Sequence, residues 1–223
     1  MAGLKAVLFD LGGTLVKTAP IPKIFLKILR KHNVHVSLDA DSEEFPEVVE
    51  EMSLESFKLP YIEFWRAYNI RILKKLGIQG NLEQLADILT MEWWDNAELE
   101  VYPEVKDTLR TVKQRGLKTG IVSNGFQIDI REILSRTSLE GKFNVTVGVD
   151  DVGKPKPHAE IFNYALEKLK IKPHEALFVG DNPETDYKGA ETASLRPLLI
   201  DRDDKIQGSY RKIRNLREII NYL

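Results

Sequence analysis

No cysteine occurs in the chain, which excludes disulfides, thiolate metal sites and thiol nucleophiles. Methionine and tryptophan are scarce, at three each, and little Cys and Met beside abundant Lys, Glu and Ile suits a thermophile. Long apolar runs are missing too. Stretches such as Ala6 to Phe9 and Ala176 to Val179 are far too short to cross a bilayer, and the N-terminus lacks a signal-peptide pattern. The expected location is therefore the cytoplasm, with no membrane partner. Nor is charge of one sign in excess: 32 basic and 34 acidic residues are mixed along the chain for a net −2, so no nucleic-acid footprint is visible.

What is present is an ordinary soluble composition, 43% hydrophobic and 30% charged over 223 residues. That length allows one core with a sizeable insertion, or two small domains. Five short runs are nearly all apolar and bounded by Gly, Asp or Asn, as expected of strands buried on both faces: 6–9, 119–122, 145–149, 177–179 and 198–200. Amphipathic helical stretches lie between the later ones, at about 103–115, 128–137, 159–169 and 184–193. Strands alternating with helices predict a three-layered α/β fold around a Rossmann-like parallel sheet. After the first strand, about eighty residues show helical periodicity and no convincing strand, for example Ile24, Phe25, Ile28 and Leu29, then Ile62, Trp65, Ile72 and Leu76. The expected organisation is a core of residues 1–15 and 99–223 with an inserted helical domain of 16–98. Within the insertion, the acidic run over 37–51 reads as a loop or an exposed helix.

Ligands of open parallel sheets bind beyond the carboxyl ends of the strands. Asp10-Leu11-Gly12-Gly13-Thr14 follows the first run, Ser123-Asn124-Gly125 the second, Lys154-Pro155-Lys156-Pro157 the third, and Gly180-Asp181-Asn182 the fourth, with Asp186 five residues beyond Asp181. Clustered in a partly desolvated site, Asp10, Asp181 and Asp186 would repel one another, and a hard divalent cation with oxygen ligands resolves the conflict. Magnesium fits best. Gly12 and Gly13 let backbone amides approach an anion, Lys154 adds a point charge, and Ser123 with Asn124 adds hydrogen bonds, so the rim is suited to phosphate. Of the two lysines, the Pro-x-Pro context points to Lys154 over Lys156. Simpler readings exist for individual residues: Ser123 and Asp186 are also suited to capping the helices that follow them. Among the histidines, His32 and His35 have no identifiable carboxylate partner.

These four stretches, in this order, resemble the motifs of the haloacid dehalogenase superfamily, and the insertion resembles the helical cap that family places between its first and second motifs. The resemblance implies that Asp10 is a nucleophile forming an aspartyl-phosphate that water hydrolyses. It implies that Ser123 and Lys154 serve catalysis by holding the phosphoryl group, and that Asp10, the Gly12 carbonyl and Asp181 hold magnesium with Asp186 nearby. The expected substrate is a small phosphorylated metabolite, and the protomer a monomer or homodimer.

One position departs from the family pattern. Most phosphatases of the superfamily carry a general acid–base aspartate where this chain has Gly12, and such a group is worth roughly 10²–10⁴-fold in rate. Three consequences follow as alternatives: a substrate whose leaving group has a low pKa, a substitute acid such as Lys17, His32 or Tyr61, or a protein that binds phospho-ligands without turnover. A phosphonatase-like reading, in which one of Lys17, Lys23, Lys27 or Lys31 forms a Schiff base, is a further alternative.

Overall fold

The computed structural model describes residues 3–36, 38 and 45–223. These divide into two compact units, one of Met1–Lys17 with Glu100–Leu223 and one of Thr18–Leu99.

The first unit is a six-stranded parallel sheet. Its strands are β1 (Ala6–Phe9), β4 (Lys118–Val122), β5 (Val145–Val147), β6 (Ala176–Gly180), β7 (Arg196–Ile200) and β8 (Lys212–Ile213), in the order β5-β4-β1-β6-β7-β8. β2 (Val16–Lys17) and β3 (Glu100–Val101) form a separate antiparallel pair with Val16 opposite Val101 and Lys17 opposite Glu100. That pairing brings Lys17 and Glu100 into the sheet unit, so the boundary falls beyond the 15/16 and 98/99 divisions expected from the sequence. It also supplies a strand where only helical periodicity was visible.

β1 is buried at every residue because it pairs in parallel on both sides, with β4 and β6, and carries Ala, Val, Leu and Phe to satisfy both faces. Helices α4 (Val105–Gln114), α5 (Gln127–Arg136), α6 (Ala159–Leu169) and α7 (Gly189–Thr192) cover the sheet. α6 buries Ile161, Phe162, Ala165, Leu166 and Leu169, the spacing of one helical face, and the Phe162 ring meets Phe178 of β6 edge-on at 5.0 Å. The chain builds outward from β1 to β4 and β5, then crosses back to β6, β7 and β8. The strand order therefore reverses beside β1, and a crevice at its carboxyl end follows.

The second unit contains α1 (Ile21–Lys31), α2 (Tyr61–Lys75) and α3 (Leu82–Asn96). Its core joins Ile24, Phe25, Ile28 and Leu29 of α1 to Ile72 and Leu73 of α2 and to Ala86 and Leu89 of α3. The Arg66 guanidinium grips Asp87 with two hydrogen bonds, at 2.7 and 2.9 Å, between α2 and α3. His32 does have a carboxylate partner: Nε2 lies 2.8 Å from Glu92 Oε1, a residue 60 positions away that helix packing brings alongside. Of the acidic run, Ser37 and residues 39–44 lie outside the described residues, and Val49–Glu51 forms a 3₁₀ turn. Among the described residues no helix is long and apolar enough to cross a membrane.

Candidate active site

Asp10 continues the ladder of β1: its N–H donates to the Val179 carbonyl at 2.9 Å, which fixes the residue at the sheet's edge and leaves it only 7% exposed. A tight turn follows, in which Leu15 and Val16 donate to the Leu11 carbonyl and Gly13 donates to the Val16 carbonyl at 2.8 Å. β6 ends at Gly180, and the next residue is Asp181. Asn182 then caps a π-helical turn, Pro183–Lys188, by accepting from the Glu184 and Thr185 N–H groups at 2.9 Å each. That turn carries Asp186 back toward the strand end, where Oδ2 accepts from the Asn182 N–H at 3.0 Å. A side chain on Gly180 would leave no room for it, since a Cβ there would lie 2.4 Å from Asp186 Cγ.

Asp10, Asp181 and Asp186 thereby offer carboxylate oxygens that all lie within 4.8 Å of one another. The buried ammonium of Lys156 stands between two of them, with Nζ donating to Asp10 Oδ1 and Asp186 Oδ1 at 2.6 Å each. Three carboxylates and one ammonium carry a formal charge of −2. Burial pushes the Asp10 carboxyl up to about 7 against the pull of Lys156, and the charges of Asp186 and Asp181 add to the rise. Asp181 is raised by the same burial and by Asp186. Burial alone would lower the Lys156 ammonium, but Asp10 and Asp186 outweigh it and hold the group above its ordinary value. All the acidic donors are hard oxygens, their charge is uncompensated by about that of one divalent cation, and Gly13 keeps the space beside Asp181 clear. The residues present fit magnesium.

The lysine in the cluster is Lys156, not Lys154. Lys154 lies outside the cluster, half-buried and paired with Glu160, the second residue of α6. Lys156 reaches inward because Asn124 holds its main chain, the Lys156 N–H donating to Asn124 Oδ1 at 2.6 Å and Asn124 Nδ2 donating to the Lys156 carbonyl at 3.2 Å. Asn124 was expected among the phosphate-binding residues; its side chain holds Lys156. Gly13 also serves differently from expectation. Its N–H is taken by Val16, and it is required because φ is +75° and because a Cβ would lie 2.2 Å from Asp181 Oδ2. Gly12, in contrast, faces open space, with nothing within 4 Å of where a Cβ would stand.

Ser123 is buried at the end of β4, whose register sets Ile121 opposite Phe9. Its Oγ accepts from the Gly125 N–H at 3.1 Å, so the hydroxyl hydrogen remains available to donate. One further residue closes on the cluster that the sequence did not single out. Thr14, fully buried, donates from Oγ1 to Asp181 Oδ1 at 3.5 Å.

A model of haloacid dehalogenase-like hydrolases matches residues 4–194. The chain belongs to that family. Among its relatives, a glyceraldehyde 3-phosphate phosphatase of Methanothermobacter thermautotrophicus is 29% identical over 200 residues, covering 90% of this chain and 87% of the relative. The crystal structure of a haloacid dehalogenase-type phosphatase from Thermococcus onnurineus is 28% identical, has a TM-score of 0.66 and covers 98% of this chain and 97% of its own. That of a 2-haloacid dehalogenase from Pseudomonas syringae pv. Tomato DC3000 is 26% identical with a TM-score of 0.70 over the same shares. Membership in the family makes the chain a hydrolase, and the chemistry of the site has to separate its branches.

Proposed function

We propose that this hydrolase is a magnesium-dependent phosphoric monoester hydrolase for a small phosphorylated metabolite, acting through an aspartyl-phosphate on Asp10. The observation that carries the reading is the carboxylate cluster, formally −2 when all three are ionised: halide displacement needs no cation for Asp181 to hold beside the nucleophile, whereas a phosphoryl site needs one. Likeness to glyceraldehyde 3-phosphate phosphatase at 29% identity supports a substrate of that size and charge.

Asp10, the Gly12 carbonyl and Asp181 would hold magnesium, with Asp186 behind them; when bound, the ion supplies charge neutralisation for the incoming phosphoryl oxygens. Lys156 keeps Asp10 Oδ1 hydrogen-bonded and favours its ionised form. An Asp10 carboxylate oxygen attacks phosphorus, and the bond from phosphorus to the leaving oxygen breaks with its electron pair going to the leaving group, which takes up a proton from solvent water. Water then attacks the same phosphorus, the Asp10–phosphorus bond breaks, and the carboxylate returns as inorganic phosphate departs. Ser123 donates to a phosphoryl oxygen.

Carbon–phosphorus cleavage is disfavoured by the lysines available to it. Lys17 pairs with Glu100 at 2.8 Å, Lys23 and Lys27 with Glu98 at 2.9 and 3.4 Å, and Lys31 with Glu92 at 2.6 Å, all exposed. Schiff-base lysines need a lowered pKa, and the Glu100 hydrogen bond raises that of Lys17. The test is hydrolysis of an aryl phosphate and of glyceraldehyde 3-phosphate, with magnesium and with chelator, by the native chain and by Asp10→Asn. Magnesium-dependent turnover lost in the variant is expected; an unaffected variant would sink the nucleophile assignment, and magnesium-enhanced binding of phosphate without any turnover would favour a binding protein.

A further inference from the structure

The turn after Asp10 is held from behind by a group outside the carboxylate cluster. Arg202 lies two residues beyond β7, and its guanidinium stacks on the Tyr102 ring, 3.5 Å from Cζ to the ring centroid. Nη1 donates to Glu104 Oε1 at 2.6 Å, Nη2 donates to the Thr14 carbonyl at 2.8 Å, and Nε is directed at the Gly13 carbonyl at 3.5 Å. Glu104 is 3% exposed, and the same Oε1 also accepts from the Leu216 N–H at 3.4 Å. Stacking and the carboxylate together fix the plane of the guanidinium, so its remaining donors point in set directions.

The residues those donors reach are the ones that locate Asp181. Thr14 donates its hydroxyl to Asp181 Oδ1, and Gly13 runs so close to Asp181 that no side chain would fit between them. The next carbonyl, of Leu15, accepts from the Tyr102 N–H at 3.2 Å. Three successive carbonyls after the nucleophile are thus tied to the Tyr102, Glu104 and Arg202 group, which itself touches none of the three acidic residues among the contacts described.

We propose that Arg202, seated on Tyr102 and Glu104, is a positioning residue that holds the Gly13–Thr14 turn and so sets the placement of Asp181 relative to Asp10. The inference rests on the proposed magnesium-dependent phosphatase reading for its activity readout and is independent of it for its metal readout. A planar fork is needed for two adjacent carbonyls, so Lys is an incomplete substitute for Arg here.

The test compares the native chain with Arg202→Met and Arg202→Lys, in kcat and KM for an aryl phosphate and in the magnesium concentration giving half of the metal-induced thermal shift without substrate. In Arg202→Met, kcat is expected to fall about 10²-fold with KM little changed, as for a small misplacement of reacting groups. The half-shift magnesium concentration should rise severalfold, and Arg202→Lys should recover part of both. A merely structural role would lower the melting temperature alike with and without magnesium and leave both readouts in place; that result in a folded Arg202→Met overturns the proposal. If Arg202→Met does not fold, Tyr102→Leu, which removes the ring on which the guanidinium stacks and keeps Glu104, is expected to shift both readouts in the same direction, and no shift overturns the proposal. A native chain that turns over no phosphate compound would defeat the functional reading alone, because the magnesium shift still decides the inference.

Discussion

Asn124 grips the main chain of Lys156 from both sides, accepting its N–H at 2.6 Å and donating to its carbonyl at 3.2 Å, although the two residues lie 32 positions apart. Removing both bonds with Asn124→Ala frees the loop that delivers the ammonium to Asp10 and Asp186. Each buried hydrogen bond lost costs roughly 1 kcal/mol or more, so the variant should melt earlier and lose at least tenfold in kcat, since misplaced groups lose rate steeply. Unfolding by denaturant alongside steady-state kinetics checks this; a variant that only loses stability would show that the grip is not needed for activity.

The two neighbouring lysines should respond oppositely. Lys156→Met leaves the buried Asp10 and Asp186 without their cation, a change that costs on the order of 3–5 kcal/mol, and it should abolish turnover. Lys154→Met removes an exposed pair with Glu160 and should alter stability by less than about 1 kcal/mol and leave kcat unchanged. Reversal of that ranking would restore Lys154 to the site.

Adjacent glycines make a second opposed pair. Gly12→Asp meets open space, so the protein should fold with native stability, and hydrolysis of alkyl phosphates should rise if leaving-group protonation limits the rate. Gly13→Ala sets a Cβ 2.2 Å from Asp181 Oδ2 at a φ of +75°. It should cost about 1–2 kcal/mol in backbone strain alone and remove the thermal stabilisation by magnesium. Differential scanning calorimetry with and without the metal reads both.

Part of the acid sensitivity should trace to Glu104. Burial would raise its carboxyl, but the Arg202 hydrogen bond, backbone N–H donors and the Arg202 charge together hold it below the ordinary 4.5. A depressed folded-state value adds stability that is full above the unfolded value and lost as the pH falls through the folded one. Glu104→Gln should therefore be less stable than the native chain at pH 7, by roughly 1 kcal/mol, the difference between hydrogen bonds to a charged and to a neutral acceptor, and the gap should close as the pH drops below 4.5. Urea unfolding of both proteins between pH 7 and pH 3 measures it; a gap that widened in acid would contradict the sign.

By itself the sequence determined the parallel α/β core and the acidic rim. The strand at 6–9 and the helix at 159–169 occupy the expected residues because both faces of one and a single face of the other must be apolar, and such demands leave local periodicity. A strand of two residues leaves none, so β2, β3 and β8 exist only through partners distant in sequence. Tertiary structure alone decided between Lys154 and Lys156, which share a Lys-Pro context and differ in what Asn124 holds. It also decided that Gly13 makes room for a carboxylate while Gly12 faces open space, and that Arg202 reaches back 188 residues to the Thr14 carbonyl. Composition and spacing specify which groups a chain carries to a sheet edge; hydrogen bonds between segments far apart in the chain specify which of those groups meet.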